Sequence, residues 1–86
     1  MPEEMFPRIR EIEALSDYKL YAVFDSGETV IYDVGDDIRT IPDFSVLKTV
    51  PGMFENVHLD ESRTSVYWSD RVDLASDTIL EYGAPA

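Results

Sequence analysis

The sequence predicts an α+β protein built on a small, mostly antiparallel sheet, made of a first strand and two β-hairpins, with short helices between them and a C-terminal helix. Three observations carry this expectation. Tyr18 to Phe24 and Thr29 to Val34 are rich in aromatic and β-branched residues and flank the turn-forming Asp25-Ser26-Gly27-Glu28. A second pair of such runs, Val57 to Leu59 and Thr64 to Trp68, brackets Asp60-Glu61-Ser62-Arg63. Between the two pairs, Gly35, Pro42, Pro51 and Gly52 interrupt the chain too often for anything beyond short helical turns.

Residues 8 to 15 fit neither the helical nor the strand period cleanly, but Ser16-Asp17 follows as a turn signal, so a first strand is expected there. The register of the next hairpin follows from polarity. A two-residue loop at Ser26-Gly27 would set Leu20 opposite Asp33 and bury a carboxylate. A three-residue loop, Asp25 to Gly27, sets Phe24 opposite Glu28, Ala22 opposite Val30, Leu20 opposite Tyr32 and Tyr18 opposite Val34, and lets Lys19 meet Asp33 on the other face. That register makes one face almost wholly apolar, with Gly27 taking the positive φ of the bulged turn. Asp36-Asp37 are expected to cap a helical turn through Thr40, and Pro42-Asp43 to open a second from which Phe44, Val46 and Leu47 point inward. Met53-Phe54 reads as a further single turn. Val72-Asp73-Leu74 extends the sheet, and Ser76 or Asp77 caps a terminal helix from Thr78 to Tyr82 that stops at Gly83.

The 86 residues, 44% hydrophobic and 29% charged, suit a single domain over 1–86 and exceed the apolar content of an acidic disordered tail. Seven basic against eighteen acidic residues give a net charge of −11. The excess is spread along the chain: residues 1 to 48 hold 11 acids and 5 bases, residues 49 to 86 hold 7 and 2. Phosphate neutralisation needs clustered cations, so nucleic acid is not an expected partner, and anionic lipid is disfavoured in the same way. Apolar runs are only a few residues long, against about 20 for a membrane-spanning helix. There is no cysteine, which removes disulfides and thiolate chemistry and favours a cytoplasmic protein; the amino-terminal Met-Pro-Glu-Glu-Met-Phe-Pro lacks the pattern of a signal peptide.

Tyr18-Lys19-Leu20 leading to Phe24-Asp25-Ser26-Gly27-Glu28, Tyr32-Asp33-Val34, Phe54 before Val57, and Trp68 followed by Val72-Asp73-Leu74-Ala75-Ser76-Asp77-Thr78-Ile79-Leu80 resemble the prokaryotic family called domain of unknown function 2442. The likeness spans nearly the whole chain. It implies a compact α+β fold of bacterial origin and no particular activity. Some members of that family are joined to a helix-turn-helix domain, which a sequence ending at Ala86 is not expected to carry, and some lie beside small proteins of toxin-antitoxin type. The family commonly has a Pro-Asn-Gly-like turn after its Trp, where this sequence has Ser69-Asp70-Arg71.

Few residues suggest chemistry. His58, the only histidine, alternates onto the face opposite Val57 and Leu59, and is expected to be solvated or to face a partner rather than to serve a triad. Asp36-Asp37, Asp60-Glu61 and Asp70 with Asp73 and Asp77 lack the ligand spacing of a calcium loop and read as caps and turns. No phosphate loop, nucleophile elbow or metalloprotease motif is present, so an enzyme is not expected, nor are cofactor, catalytic or metal residues. Strand alternation places Tyr21, Val23, Ile31 and Tyr67 away from the main core. Either the terminal helix covers them through Ile79, Leu80 and Tyr82, or they meet a partner or second subunit. The expected function is that of an acidic protein-protein interaction module whose partner is another protein, a small basic one of toxin-like kind, or a second copy of the chain. The competing reading is a small-ligand or metal-binding regulatory domain with an enclosed pocket lined by Trp68. DNA mimicry would need carboxylates in a regular double row, which scattered acids do not form.

Overall fold

A computed structural model describes residues 7–86; the amino-terminal segment read above for targeting signals, residues 1–6, lies outside them. Strands β1 (Ile9–Leu15), β2 (Lys19–Phe24) and β3 (Thr29–Asp33) form an antiparallel meander, and β4 (His58–Leu59), β5 (Ser65–Ser69) and β6 (Val72–Ala75) form a second. A two-residue strand, β7 (Ala84–Pro85), adds to β3, so the sheet orders are β1-β2-β3-β7 and β4-β5-β6. The single sheet expected from the sequence is therefore two. Helices α1 (Gly35–Thr40) and α2 (Val46–Thr49) join them, with 3-10 turns at Pro42–Ser45 and Phe54–Asn56, and α3 (Ser76–Tyr82) precedes β7.

The first hairpin adopts the three-residue loop. Leu20 faces Tyr32, Ala22 faces Val30 and Lys19 faces Asp33, while Phe24 donates its amide to the Glu28 carbonyl at 2.9 Å and Gly27 sits at φ +96°. Leu20, Ala22, Phe24, Val30, Tyr32 and Val34 are all buried, as that register requires. Tyr18 lies in the preceding turn rather than the strand and is half-buried, its ring edge-on to Phe54 with centroids 5.3 Å apart. Asp17 and Tyr18 both take positive φ there, an uncommon conformation for an aromatic residue, held by a hydrogen bond from the Val34 amide to the Tyr18 carbonyl at 2.9 Å.

The mixed period of residues 8 to 15 has a structural cause. Ile9 pairs with Phe24 but Glu11 pairs with Val23, so Arg10 is an extra residue in β1, a bulge after which alternation resumes. A second register shift lies between Tyr67 and Ser69 in β5. Val66 and Trp68 share the core face by plain alternation, and the shift leaves Asp70-Arg71 as a two-residue turn between the paired Ser69 and Val72. Neither turn residue has positive φ, so the primed turn that usually matches strand twist is not used, and the bulge supplies the extra twist.

Both sheets turn their inner faces to one core. Trp68 is its centre: it stacks on Phe54 with centroids 5.8 Å apart, meets the edge of Phe44, and donates its indole N–H to the Phe54 carbonyl at 2.8 Å. Phe44 and Leu47 enter from the helical segment as expected, and Val46 packs against them. Capping differs from expectation. The Asp33 carboxylate, one turn earlier than Asp36 and Asp37, accepts the Gly35 amide at 2.8 Å at the start of α1. Ser76 is buried with its hydroxyl unpartnered, and Asp77 accepts the Thr78 amide at 2.9 Å.

Candidate functional site

The candidate site is the outer face of the first meander, and the strand register fixes who stands beside whom. Glu13, Tyr21, Ile31 and Ala84 form one row across β1, β2, β3 and β7; Glu11, Val23 and Thr29 form the next. A third row, Leu15, Lys19 and Asp33, closes the end with one charge of each sign. Neighbouring strands lie about 4.8 Å apart, so the apolar centre, Tyr21, Val23 and Ile31, is a strip two strands wide, flanked on its β1 side by Glu11 and Glu13. Glu11 and Glu13 are exposed, and Tyr21, Val23 and Ile31 are half-buried.

The terminal helix does not cover this strip. Ile79 is fully buried in the shared core, Leu80 packs against that core, and Tyr82 is 72% exposed. Helix α3 therefore occupies the inner side of β3, which corrects the covering role considered from the sequence. Gly83 makes the passage from α3 to β7: a Cβ there would lie 2.6 Å from the Ile79 carbonyl and 3.1 Å from the Val30 side chain. The chain can thus cross tightly beside Val30 and lay Ala84 next to Ile31.

The four residues singled out from the sequence do not form one patch. Tyr67 belongs to the second sheet, 39% exposed between His58 and Asp73, with its ring centroid 5.4 Å from that of His58. Simple alternation put it outside correctly, but alternation cannot say that the second hairpin forms a separate sheet. His58 is exposed. Among the described residues no three His, Cys, Asp or Glu side chains come together to hold a metal ion, so Asp70, Asp73 and Asp77 do not converge.

Other surface features were not foreseen. Asp25 and Arg63 meet in a two-pronged ion pair at 2.8 and 3.0 Å between the two hairpin loops. The Arg63 guanidinium holds the Asp25 carboxyl below the usual carboxylate range, with Arg10 and Arg8 adding to the effect, and Asp25 in turn raises Arg63. Arg63 has positive φ, and its carbonyl accepts the Ile9 amide at 2.8 Å. Three of the seven basic residues thus gather around one aspartate. On the far side, Tyr32, Asp33, Asp36, Asp37, Thr78 and Tyr82 line an open recess of about 440 Å³. There the Tyr32 hydroxyl donates to Asp37 at 2.6 Å; burial, then the Asp37 carboxylate, pushes the phenol well above its ordinary range. A smaller cleft of about 280 Å³ lies between the strained Asp17-Tyr18 turn and residues 47–55. Trp68 lines neither of these and is only 5% exposed.

Two antiparallel meanders on one core, with short connecting helices and a terminal helix, define a small α+β protein. The chain belongs to the family described as protein of unknown function (DUF2442), whose model matches residues 9–85. It is similar to a solved Nitrosomonas europaea structure described as a "putative DNA binding protein", with 35% identity and a TM-score of 0.76 over 95% of this chain. The match covers 52% of the Nitrosomonas chain, so the present chain spans about half its length. No curated protein matches.

Proposed function

We propose that this protein is an acidic protein-protein interaction module that binds its partner through the outer face of β1, β2 and β3. The observation that supports this reading is the apolar strip of Tyr21, Val23 and Ile31, which the terminal helix leaves without a covering layer. A sheet with two half-apolar faces ordinarily needs a layer on each, and among the described residues the inner face has one. The net charge of −11 makes a basic protein the favoured partner, since opposite fields speed encounter. The proposed setting is the bacterial cytoplasm, and the proposed mode is binding without catalysis. The test is retention of protein from the extract of its own cells by the immobilised chain. Recovery of a basic protein that is lost with Tyr21→Ala and weakened by salt supports the reading; equal recovery by wild type and variant opposes it.

A second reading, DNA binding, takes its support from the name of the Nitrosomonas relative, half of whose chain lies outside the match. Against it stand the net charge and the fact that Arg63 and Arg10, the core of the one cationic cluster, are directed at Asp25. Duplex DNA is accordingly expected not to bind in a calorimetric titration, and a saturable isotherm would displace the protein-partner reading.

A further inference from the structure

We infer that the occupant of the outer face is an amphipathic α-helix of a partner protein, lying along the strands, with lysine or arginine at positions i and i+4 on the flank that faces β1. This rests on the interaction reading above and adds the shape and charge pattern of the partner. The apolar strip is about two strands, or 10 Å, wide, which is the diameter of one helix with its side chains. A helix is also the element that lays a single apolar stripe on a sheet face.

The charges decide the pattern on its flank. Glu11 and Glu13 stand side by side on β1, opposite Val23 and Tyr21, and both are exposed. On the β7 side the strip meets Ala84 beside Ile31 and Ala86 beside Thr29, whose hydroxyl donates to the Ala86 carbonyl oxygen at 2.8 Å, with no charged side chain, and at the end of the strip Lys19 and Asp33 face each other across the strands. An approaching helix therefore meets a row of two carboxylates, Glu11 and Glu13, along its β1 flank, while the single Asp33 carboxylate at one end stands opposite Lys19. Residues two apart on a strand are separated by about 6.7 Å, and residues four apart on a helix by about 6 Å of rise. Two cations at i and i+4 reach Glu11 and Glu13 together while the neighbouring apolar stripe covers Val23 and Tyr21. The same two glutamates disfavour a second copy of this chain, because antiparallel pairing of the faces would bring carboxylates of two strongly anionic molecules together.

The test uses the full chain and two synthetic 18-residue Leu/Ala/Lys helices of equal net charge. One carries lysines at i and i+4 directly beside the leucine stripe, the other on the opposite side of the helix. Binding is read by calorimetry and by amide shifts in NMR. The first peptide is expected to bind about tenfold more tightly than the second and to shift Tyr21, Val23 and Ile31; Glu11→Gln/Glu13→Gln is expected to remove most of that preference, the amount two exposed ion pairs supply. Asp43→Asn/Glu61→Gln, which removes two acids elsewhere, is expected to leave the preference intact. Equal binding of the two peptides with shifts on this face would overturn the charge pattern while sparing the interaction reading. Shifts confined to other surfaces, or no binding by either peptide, would overturn the helix proposal, and the retention experiment with Tyr21→Ala then decides the broader reading separately.

Discussion

At single positions the structure separates backbone strain from packing. Gly27 has positive φ and nothing within 4 Å of where a Cβ would stand, so Gly27→Val costs only the conformational penalty, on the order of 1–2 kcal/mol, and a lowered melting temperature with unchanged spectra checks it. Gly83 is the opposite case, since an added methyl meets a backbone carbonyl at 2.6 Å. The Asp25–Arg63 pair carries a pH signature. Because the folded Asp25 carboxyl is held below its unfolded value, its contribution to stability is present above the unfolded pKa and is lost as pH falls through the folded one. The gap in melting temperature between wild type and Asp25→Asn is therefore expected to be widest near neutrality and to close in acid. A gap independent of pH would show that the carboxylate charge is not what Asn removes. Gly27 was legible in the sequence from its place between two strand-like runs; Asp25–Arg63 was not, because 38 residues separate partners that only the packing of two hairpins brings together.

Among the elements, the register of the first hairpin from Lys19 to Asp33 could be read because it has one solution that keeps Asp33 out of the core, whereas the positive φ of Tyr18 that ends the strand early could not. β1 resisted because a bulge turns the consecutive Arg10 and Glu11 outward and breaks the period on which a strand is recognised. β7 was missed for a related reason: two residues, one of them proline, carry no period, and proline is tolerated there only because the strand lies at the sheet edge. The outer strip followed from alternation at Tyr21, Val23 and Ile31, whereas the place of α3 depends on Gly83 admitting a close crossing beside Val30. A chain ending at Gly83 is expected to keep its core but to lose amide protection at Ile31, which pairs with Ala84, in hydrogen exchange. The Phe54 turn is fixed to β5 by the indole of Trp68. Trp68→Phe leaves the Phe54 carbonyl unpaired in the interior and opens a small void, so a loss of about 2–4 kcal/mol in denaturant unfolding is expected. A loss below 1 kcal/mol would mean that water replaces the indole there.

For the molecule as a whole, charge acts on stability and on binding with opposite signs. The longest dimension is 42 Å and the radius of gyration 12.5 Å. At about 0.01 M salt the screening length is near 30 Å, so acids on opposite sides of the fold still repel; at about 1 M it is near 3 Å, and only touching pairs such as Asp25–Arg63 retain an interaction. Eighteen acids against seven bases make the summed interaction repulsive in the compact state, more so than in the expanded unfolded chain. Added sodium chloride is therefore expected to raise the melting temperature, by roughly 5 °C for each kcal/mol of repulsion relieved in a domain of this size. Over the same range the affinity for a basic partner is expected to fall, because its encounter is steered by that field, while the apolar contact at Tyr21, Val23 and Ile31 preserves part of it. Glu11→Gln/Glu13→Gln makes the link local: it is expected to raise the melting temperature at low salt, to have little effect at high salt, and to reduce partner binding only where it stabilises the fold. Parallel salt series of calorimetric melting and binding on both proteins would show it, and a melting temperature that falls with salt would mean that attractive pairs, not the excess of carboxylates, govern the field.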